Sequence, residues 1–579
     1  MGLPRAIKAH ALNNYQEAEV HYRRAYEQGK ANEILYQNFG ALLKKIGKRE
    51  EAISIFEEGI RLFQGHAGIK RNYANLLRSE YPSYAVELYI EAIHCSLTSS
   101  KGLDIINACC DDLIGLLREK DLLYWSRSLI ATALSMFEPT PSLLKDLLII
   151  SDRLNLSLES KEAVIAAIDL SLKSAPLKDA VSLDFALATH YLSDTQHKRS
   201  LTYFESALQR IRNAPRLQDA DHSAVQELVD TNSWNFACAL LSLREFNRGW
   251  SLFEHGLRTP ADGHQKWQRA LVKPFSSDQI PLWRGEKNPN KRLLILDEQG
   301  IGDCMMFASL IPALLPEVQN IGFFLTPRLE TIYRRSFESE IKRHQVDIYT
   351  INDLQNNKLM PNFFDYQIPL GSICQHRFTS IESYGPRIPI LISDEALAKK
   401  LRNDYLAGDQ SPKLLVGISW RGGGRGTRIK QKSIDAEIFG ELMLKHPHVR
   451  FVDVQYGNTS DQVSLWKDMG IDVIHDPRID PLKDMDQWLS QVKACDAVLS
   501  VANTTIHGAG GLNIPTLCLL SVHSDWRWLV DSNIKRSYWY PSVGIARESK
   551  SSDDSWATAL HDVHDWLQNG CPMPIGSAY

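Results

Sequence analysis

Lys291-Arg-Leu-Leu-Ile-Leu-Asp-Glu-Gln-Gly-Ile-Gly-Asp303 is where the hydrophobic pattern of the chain changes period. The apolar run Leu293 to Leu296 reads as a buried strand, and Gly300 and Gly302 let the backbone turn tightly before a helical pattern begins. Downstream, Ile321 to Leu325, Val346 to Ile351 and Tyr366 to Leu370 read as further strands, with helices around Asp303 to Leu315 and Leu329 to Phe337. After a polar stretch near Asp409 to Pro412 the alternation restarts. Leu414 to Trp420, Arg450 to Gln455, Asp472 to Ile474, Ala497 to Val501 and Thr516 to Leu520 are its strands. Strands alternating with helices at this spacing predict parallel sheets with crossover helices, in two doubly wound α/β units over residues 280–405 and 411–570. Ligands of such sheets sit at the carboxyl ends of the strands, so two facing units would place a cleft between them.

Upstream of Lys291 the period is helical. Ala18/Tyr22/Ala25, Ala52/Phe56/Gly59 and Ala85/Tyr89/Ala92 set small, aromatic and small residues on one helix face, and the unit recurs after 34 and then 33 residues. Tyr36, Phe39 and Gly40 fall where the first helix of a pair needs large and small residues, and Gly47 falls at the turn. Ser200/Phe204/Ala207 and Gly249/Phe253/Gly256 repeat the triplet, whereas residues 100–180 are helical in pattern without a readable phase. The period resembles the tetratricopeptide repeat (TPR). It predicts a solenoid over residues 1–265, since one hairpin cannot bury its apolar face alone, and its concave face is a candidate protein-binding surface.

Composition bounds the function. The 579 residues allow about three to four domain-sized units. Lys and Arg number 65 against 69 Asp and Glu, so no global field holds nucleic acid or an anionic membrane, and any phosphate chemistry must use a local site. Nine cysteines without a Cys-x-x-Cys pair fit a reducing compartment. With no signal-peptide run at the start and no apolar stretch of membrane-spanning length, the expected location is the cytosol.

Three strand ends carry the chemistry. The first runs through Gln299, Gly300 and Gly302 to Asp303, which reads either as a helix N-cap or as a carboxylate at the mouth of the cleft. The second is Ser419-Trp-Arg-Gly-Gly-Gly-Arg-Gly-Thr-Arg428, continuing to Lys430 and Lys432. Glycines with interleaved cations after a strand suit a loop folded around phosphates; a plain solvated loop is the alternative, and an RNA-binding Arg-Gly-Gly segment fits an acidic chain poorly. The third is Ala502-Asn-Thr-Thr-Ile-His507, where an amide and hydroxyls meet a helix start, with His507 in its first turn as a structural or functional histidine. Asp484-Met-Asp486 and His561-Asp-Val-His564 have the form of metal motifs but fit helix-start carboxylates and a surface helix face.

Gln299-Gly-Ile-Gly-Asp303, Ser419-Trp-Arg-Gly-Gly423, Phe451-Val-Asp-Val-Gln-Tyr-Gly457, Asn503-Thr-Thr-Ile-His507 and Asp525-Trp-Arg-Trp-Leu529, then Trp539-Tyr-Pro-Ser542, stand in order. Together with Trp283-Arg-Gly-Glu286 they resemble bacterial glycosyltransferases of the two-Rossmann (GT-B) type that carry N-terminal tetratricopeptide repeats. That group is similar to lipopolysaccharide heptosyltransferases in pattern and to O-linked N-acetylglucosamine transferases in architecture, and its members include flagellin glycosyltransferases that use nonulosonic acid sugars.

The resemblance implies a helical solenoid followed by two Rossmann-like lobes. It implies transfer of a sugar from a nucleotide-sugar to Ser/Thr hydroxyls of a protein, possible acceptors including flagellin. A lipid-linked glycan acceptor and a non-catalytic adaptor are the alternatives. Asp303 matches the proposed base, with His507 beside the phosphates as a second catalytic residue. Gln299, Gly300, Gly302, Arg421, Arg428, Lys432, Gln455, Tyr456, Asn503, Thr504 and Thr505 match the donor-binding positions. No metal or other cofactor is expected. Ala502-Asn503 departs from the Asp-Thr or Asp-Ser pair of heptosyltransferases, which weakens ADP-heptose as donor.

Overall fold

The computed structural model describes residues 2–29, 32–96, 102–136, 140–154, 156–214, 219–257, 269, 273–385, 389–407, 413–423, 429, 431–549 and 555–574. Among them the chain begins as successive helices and continues as two parallel sheets. It divides into two compact units, Met1–Tyr191 with Thr202–Val229, and Leu192–Leu201 with Asp230–Tyr579.

In the first unit, helices pair as hairpins: Gly2–Ala11 with Tyr15–Glu27, Glu33–Lys45 with Arg49–Leu62, and Ala67–Leu77 with Pro82–Ser96. The small-aromatic-small triplets are their seam. Ala18, Tyr22, Ala52, Phe56, Ala85, Tyr89 and Ala92 are wholly buried. Gly40 and Gly59 are there for close approach, because a Cβ would lie 2.4 Å from the Phe56 ring at the first and 2.9 Å from Tyr36 at the second. Asn32 caps its helix by accepting from the backbone N–H groups of Ile34 (2.9 Å) and Leu35 (3.2 Å). Residues 100–180 continue the pattern as helices Gly102–Glu119, Leu123–Met136, Pro141–Arg153 and Leu158–Ser171. Their seam is Ile106, Cys110, Ile114, Ile130, Leu143 and Ile150, aliphatic and thiol side chains without the aromatic that marks the other repeats.

The second unit takes in the chain from Asp230 onward, so the helical stretch Asp230 to Phe253 folds with the sheets. Trp250 and Phe253 lie edge-on to Trp526 at 5.3 and 5.5 Å between ring centroids, and Phe253 meets Phe307. A four-stranded sheet has the order β3-β2-β1-β4, where β1 is Asn288–Leu296, β2 Val318–Phe324, β3 Val346–Tyr349 and β4 Tyr366–Pro369. A six-stranded sheet has the order β10-β9-β8-β5-β6-β7, where β5 is Leu414–Ser419, β6 Val449–Asp453, β7 Val473–Ile474, β8 Ala497–Val501, β9 Thr516–Leu520 and β10 Val543–Arg547. All pairings between these strands are parallel. β8 and β9 are buried along their whole length, as strands covered on both faces must be.

Two details differ from expectation. The helix expected over Asp303 to Leu315 is Ile301–Ala308 followed by short 3₁₀ turns at Ile311–Ala313 and Leu315–Glu317. Pro312 and Pro316 have no N–H to continue the ladder. The hydrophobic pattern does not announce β10, because Gly544 and the preceding tryptophan-rich run hide its short apolar stretch. No helix among the described residues is long and apolar enough to cross a membrane.

Candidate functional site

The six-stranded sheet reverses its winding between β5 and β8, the place where open α/β sheets form a ligand crevice. The loops at that point are pinned by two amides. Gln455, buried just beyond β6, accepts through Oε1 from the Ser419 hydroxyl (2.9 Å), the Trp420 N–H (3.1 Å) and the Arg421 N–H (2.9 Å). Asn503, the N-cap of helix Thr504–Gly511, donates from Nδ2 to Ser419 Oγ (2.7 Å) and the Arg421 carbonyl (3.0 Å), and its Oδ1 accepts from the Thr505 N–H (2.8 Å). These bonds hold the start of the basic loop in place.

Arg421 then reaches sideways. Its guanidinium donates to the Tyr456 carbonyl (2.8 Å) and lies 5.9 Å from the Tyr456 ring centre, while the Tyr456 hydroxyl donates to the Gly422 carbonyl (3.2 Å). Among the described residues the Arg421 guanidinium donates to backbone carbonyl oxygens, which leave its positive charge in place. Arg428 lies outside the described residues. Lys432 pairs with Asp525 at 3.1 Å.

The other sheet contributes the loop between β1 and helix Ile301–Ala308. Gly300 is the N-cap of that helix, so Asp303 is not; it stands at the third helical position and its Oδ2 accepts from the Gly300 N–H at 3.3 Å. Its Oδ1 faces the other lobe, where it accepts from Arg527 Nε at 2.9 Å and from Arg527 Nη2 as well. The carboxylate that faces the other lobe thus also ties down the helix start through Gly300. Gly302 lets this helix approach its counterpart, since a Cβ there would lie 2.8 Å from His507 Cδ2 and 3.4 Å from Thr504 Cα. Two helix N-termini thus meet across Gly302, each directing the positive end of its dipole into the crevice.

His507 is 7% exposed and shares a 3.1 Å hydrogen bond through Nδ1 with the Tyr540 hydroxyl. Burial pushes its pKa down to about 4, so it is a neutral imidazole at physiological pH. Burial also holds the Tyr540 phenol well above its ordinary range.

Arg527 and Asp525 carry a role that the sequence reading did not assign. Burial favours neutral forms of both. For Arg527 the carboxylates of Asp303 and Asp525 outweigh it and raise the pKa; for Asp525 the charges of Arg527 and Lys432 outweigh it and hold the carboxyl well below its usual range. Asp303, Arg527, Asp525 and Lys432 therefore form a charge-balanced chain across the two lobes. The motif Asp525-Trp-Arg-Trp-Leu529 was the signal, but 224 residues separate Arg527 from Asp303 and nothing local shows the pairing.

Asp484 is the N-cap of helix Met485–Ala494, and Asp486 receives both arms of Arg335 at 2.7 Å. His564 meets the buried His446 at 3.2 Å. No group of three or more His, Cys, Asp or Glu side chains able to hold a metal ion occurs among the described residues.

The strands, crevice and facing helix starts define a helical-repeat protein joined to a two-sheet α/β region with a charged site at strand carboxyl ends. No protein-family model matches the chain. It is 24% identical over 556 residues to Protein FlbA of Caulobacter vibrioides, covering 93% of this chain and 85% of that protein. Among solved structures it is similar to ADP-heptose lipopolysaccharide heptosyltransferase II of E. coli, at 14% identity and a TM-score of 0.31 over 48% of this chain and 99% of that one. It is also similar to a thermophilic TPR protein of Thermus thermophilus, at 15% identity and a TM-score of 0.20 over 39% of this chain and 97% of that one.

Proposed function

We propose that the protein is a GT-B glycosyltransferase that moves a sugar from a nucleotide-sugar to a Ser/Thr hydroxyl of a protein held by the repeat region. The observation that carries this is Asp303: a carboxylate in the first turn of a helix, at a strand's carboxyl end, faced by a second helix start and linked through Arg527 and Asp525 to Lys432. A pyrophosphate needs cations and free N–H groups, and a hydroxyl acceptor needs a base; this arrangement supplies both within one crevice.

In the proposed step the acceptor O–H bond breaks and its proton goes to Asp303. The oxygen forms a bond to the anomeric carbon, and the bond from that carbon to the phosphate oxygen breaks, with the electron pair leaving on the nucleotide. Arg421, Lys432 and the start of helix Thr504–Gly511 stabilise the departing phosphate, so the reading requires no metal. Neutral His507, held by Tyr540, offers an uncharged ring to the same crevice. Gln455 and Asn503 serve the donor by shaping the loop that carries Arg421. The reaction belongs in the cytosol, with flagellin the acceptor that the family resemblance suggests.

Transfer of a radiolabelled sugar from UDP-, GDP-, ADP- or CMP-linked donors to a candidate protein acceptor tests the reading. Label in protein that is lost on β-elimination supports it. Label appearing only in a lipid extract replaces the acceptor class, and no consumption of any donor favours an adaptor.

A further inference from the structure

Gln299 is a non-glycine residue with a left-handed backbone, at φ 62°, in the loop before Asp303. Side chains other than glycine's are disfavoured there, and such strain persists only where neighbouring bonds over-determine it. The bonds are present. Gln299 Nε2 donates to Glu298 Oε1 at 3.0 Å, and Gln299 Oε1 accepts from Arg527 Nη2 at 3.3 Å. Chemistry fixes the orientation of this amide, because a carboxylate only accepts and a guanidinium only donates.

On one side of the amide is a buried anchor. Glu298 is 3% exposed and receives both arms of Arg269 at 2.8 and 2.6 Å; Arg269 is wholly buried and also binds Glu254 and Ser372, each at 2.7 Å. On the other side is the Arg527–Asp303 pair. Arg527 directs both Nε and Nη2 at a single oxygen of Asp303, Oδ1. The second oxygen, Oδ2, accepts only from the Gly300 N–H at 3.3 Å among the described residues, and so retains room for another donor.

We propose that Gln299 is a positioning residue. By fixing Arg527 against the Arg269–Glu298 anchor it loads Asp303 Oδ1 and leaves Oδ2 to take the acceptor's proton. This rests on Asp303 acting as the base, and it replaces direct donor contact as the role of Gln299.

The test is Gln299→Gly in the full chain, because glycine relieves the left-handed strain while removing both amide bonds. Two readouts are taken: the melting temperature, and nucleotide release from a panel of UDP-, GDP-, ADP- and CMP-sugars. The variant is expected to melt at or above the wild-type temperature and to keep KM for the donor within about twofold, while kcat falls at least tenfold. Melting clearly below wild type would make Gln299 a fold-stabilising residue and overturn the proposal. So would unchanged kcat, or a large rise in KM at unchanged kcat, the signature of direct donor contact. A wild-type chain that releases no nucleotide from any donor refutes the transfer reading instead, and the melting comparison then still decides whether Gln299 is held under strain.

Discussion

Asp303→Asn removes one negative charge and leaves nearly every atom in place, which makes its two consequences separable. Breaking a fully buried ion pair costs about 3–5 kcal/mol, whereas exposed pairs contribute about 0–1 kcal/mol. The Asp303 and Arg527 side chains are 20% and 14% exposed, and Asp525 remains 3.2 Å from Arg527 in the variant. The loss in stability is therefore about 1–2 kcal/mol, a fall of a few degrees in melting temperature. The asparagine has a single acceptor oxygen, so it keeps either the Gly300 N–H or the Arg527 contact and turns its NH2 donor toward the other. Catalysis should fall much further. Loss of a general base lowers turnover by about 10²–10⁴-fold, or about 3–5 kcal/mol of barrier. Steady-state nucleotide release, with donor affinity measured by calorimetry, should show kcat reduced at least 100-fold and donor Kd within threefold. Turnover within fivefold of wild type would remove Asp303 from the mechanism.

Acid should destabilise the second unit through His507. Its folded pKa of about 4 lies below the ordinary 6.5, so its contribution is fully present above pH 6.5 and is lost as pH falls toward 4. That amounts to about 2 kcal/mol between pH 7 and pH 5, and His507→Asn should flatten the urea-midpoint profile over that window; an unchanged slope would refute burial of a neutral His507. Arg269→Met leaves the buried Glu298 carboxylate without its cation and should cost about 3–5 kcal/mol in denaturant unfolding, against which a neutral outcome would count. Asn503→Ala frees the Arg421 carbonyl and Ser419 Oγ together, and amide exchange at Arg421 and Gly422 should quicken at least tenfold by mass spectrometry.

The architecture was legible because hydrophobic period is a local property. The triplets around Tyr22, Phe56 and Tyr89 announced their hairpins, and the apolar runs from Leu293 to Leu520 announced all but one of the strands. Between residues 100 and 180 the seam uses Ile114, Ile130 and Ile150, so no aromatic marked its phase. The site was legible only in part. Asp303, Asn503 and His507 stand beside turn signals, whereas Arg527 comes from the loop after β9 and reaches Asp303 only through the fold. Lys432 stands in the sequence as one cation of the basic loop, and its pairing with Asp525 is equally invisible in one dimension. Gln455 and Asn503 match donor-binding positions in the resemblance, and only the fold shows that their amides also bond the loop that Arg421 begins.

Under the proposed function the crevice between β5 and β8 takes a nucleotide-sugar, and melting the full chain against saturating UDP-, GDP-, ADP- and CMP-sugars reads that binding. A ligand at 100 times its Kd stabilises by about 2.7 kcal/mol. One nucleotide class should raise the melting temperature, and Arg421→Ala should abolish the rise without lowering the unliganded transition by more than a degree or two. A panel in which no nucleotide-sugar shifts the transition, or a shift that Arg421→Ala leaves intact, would contradict the proposed function.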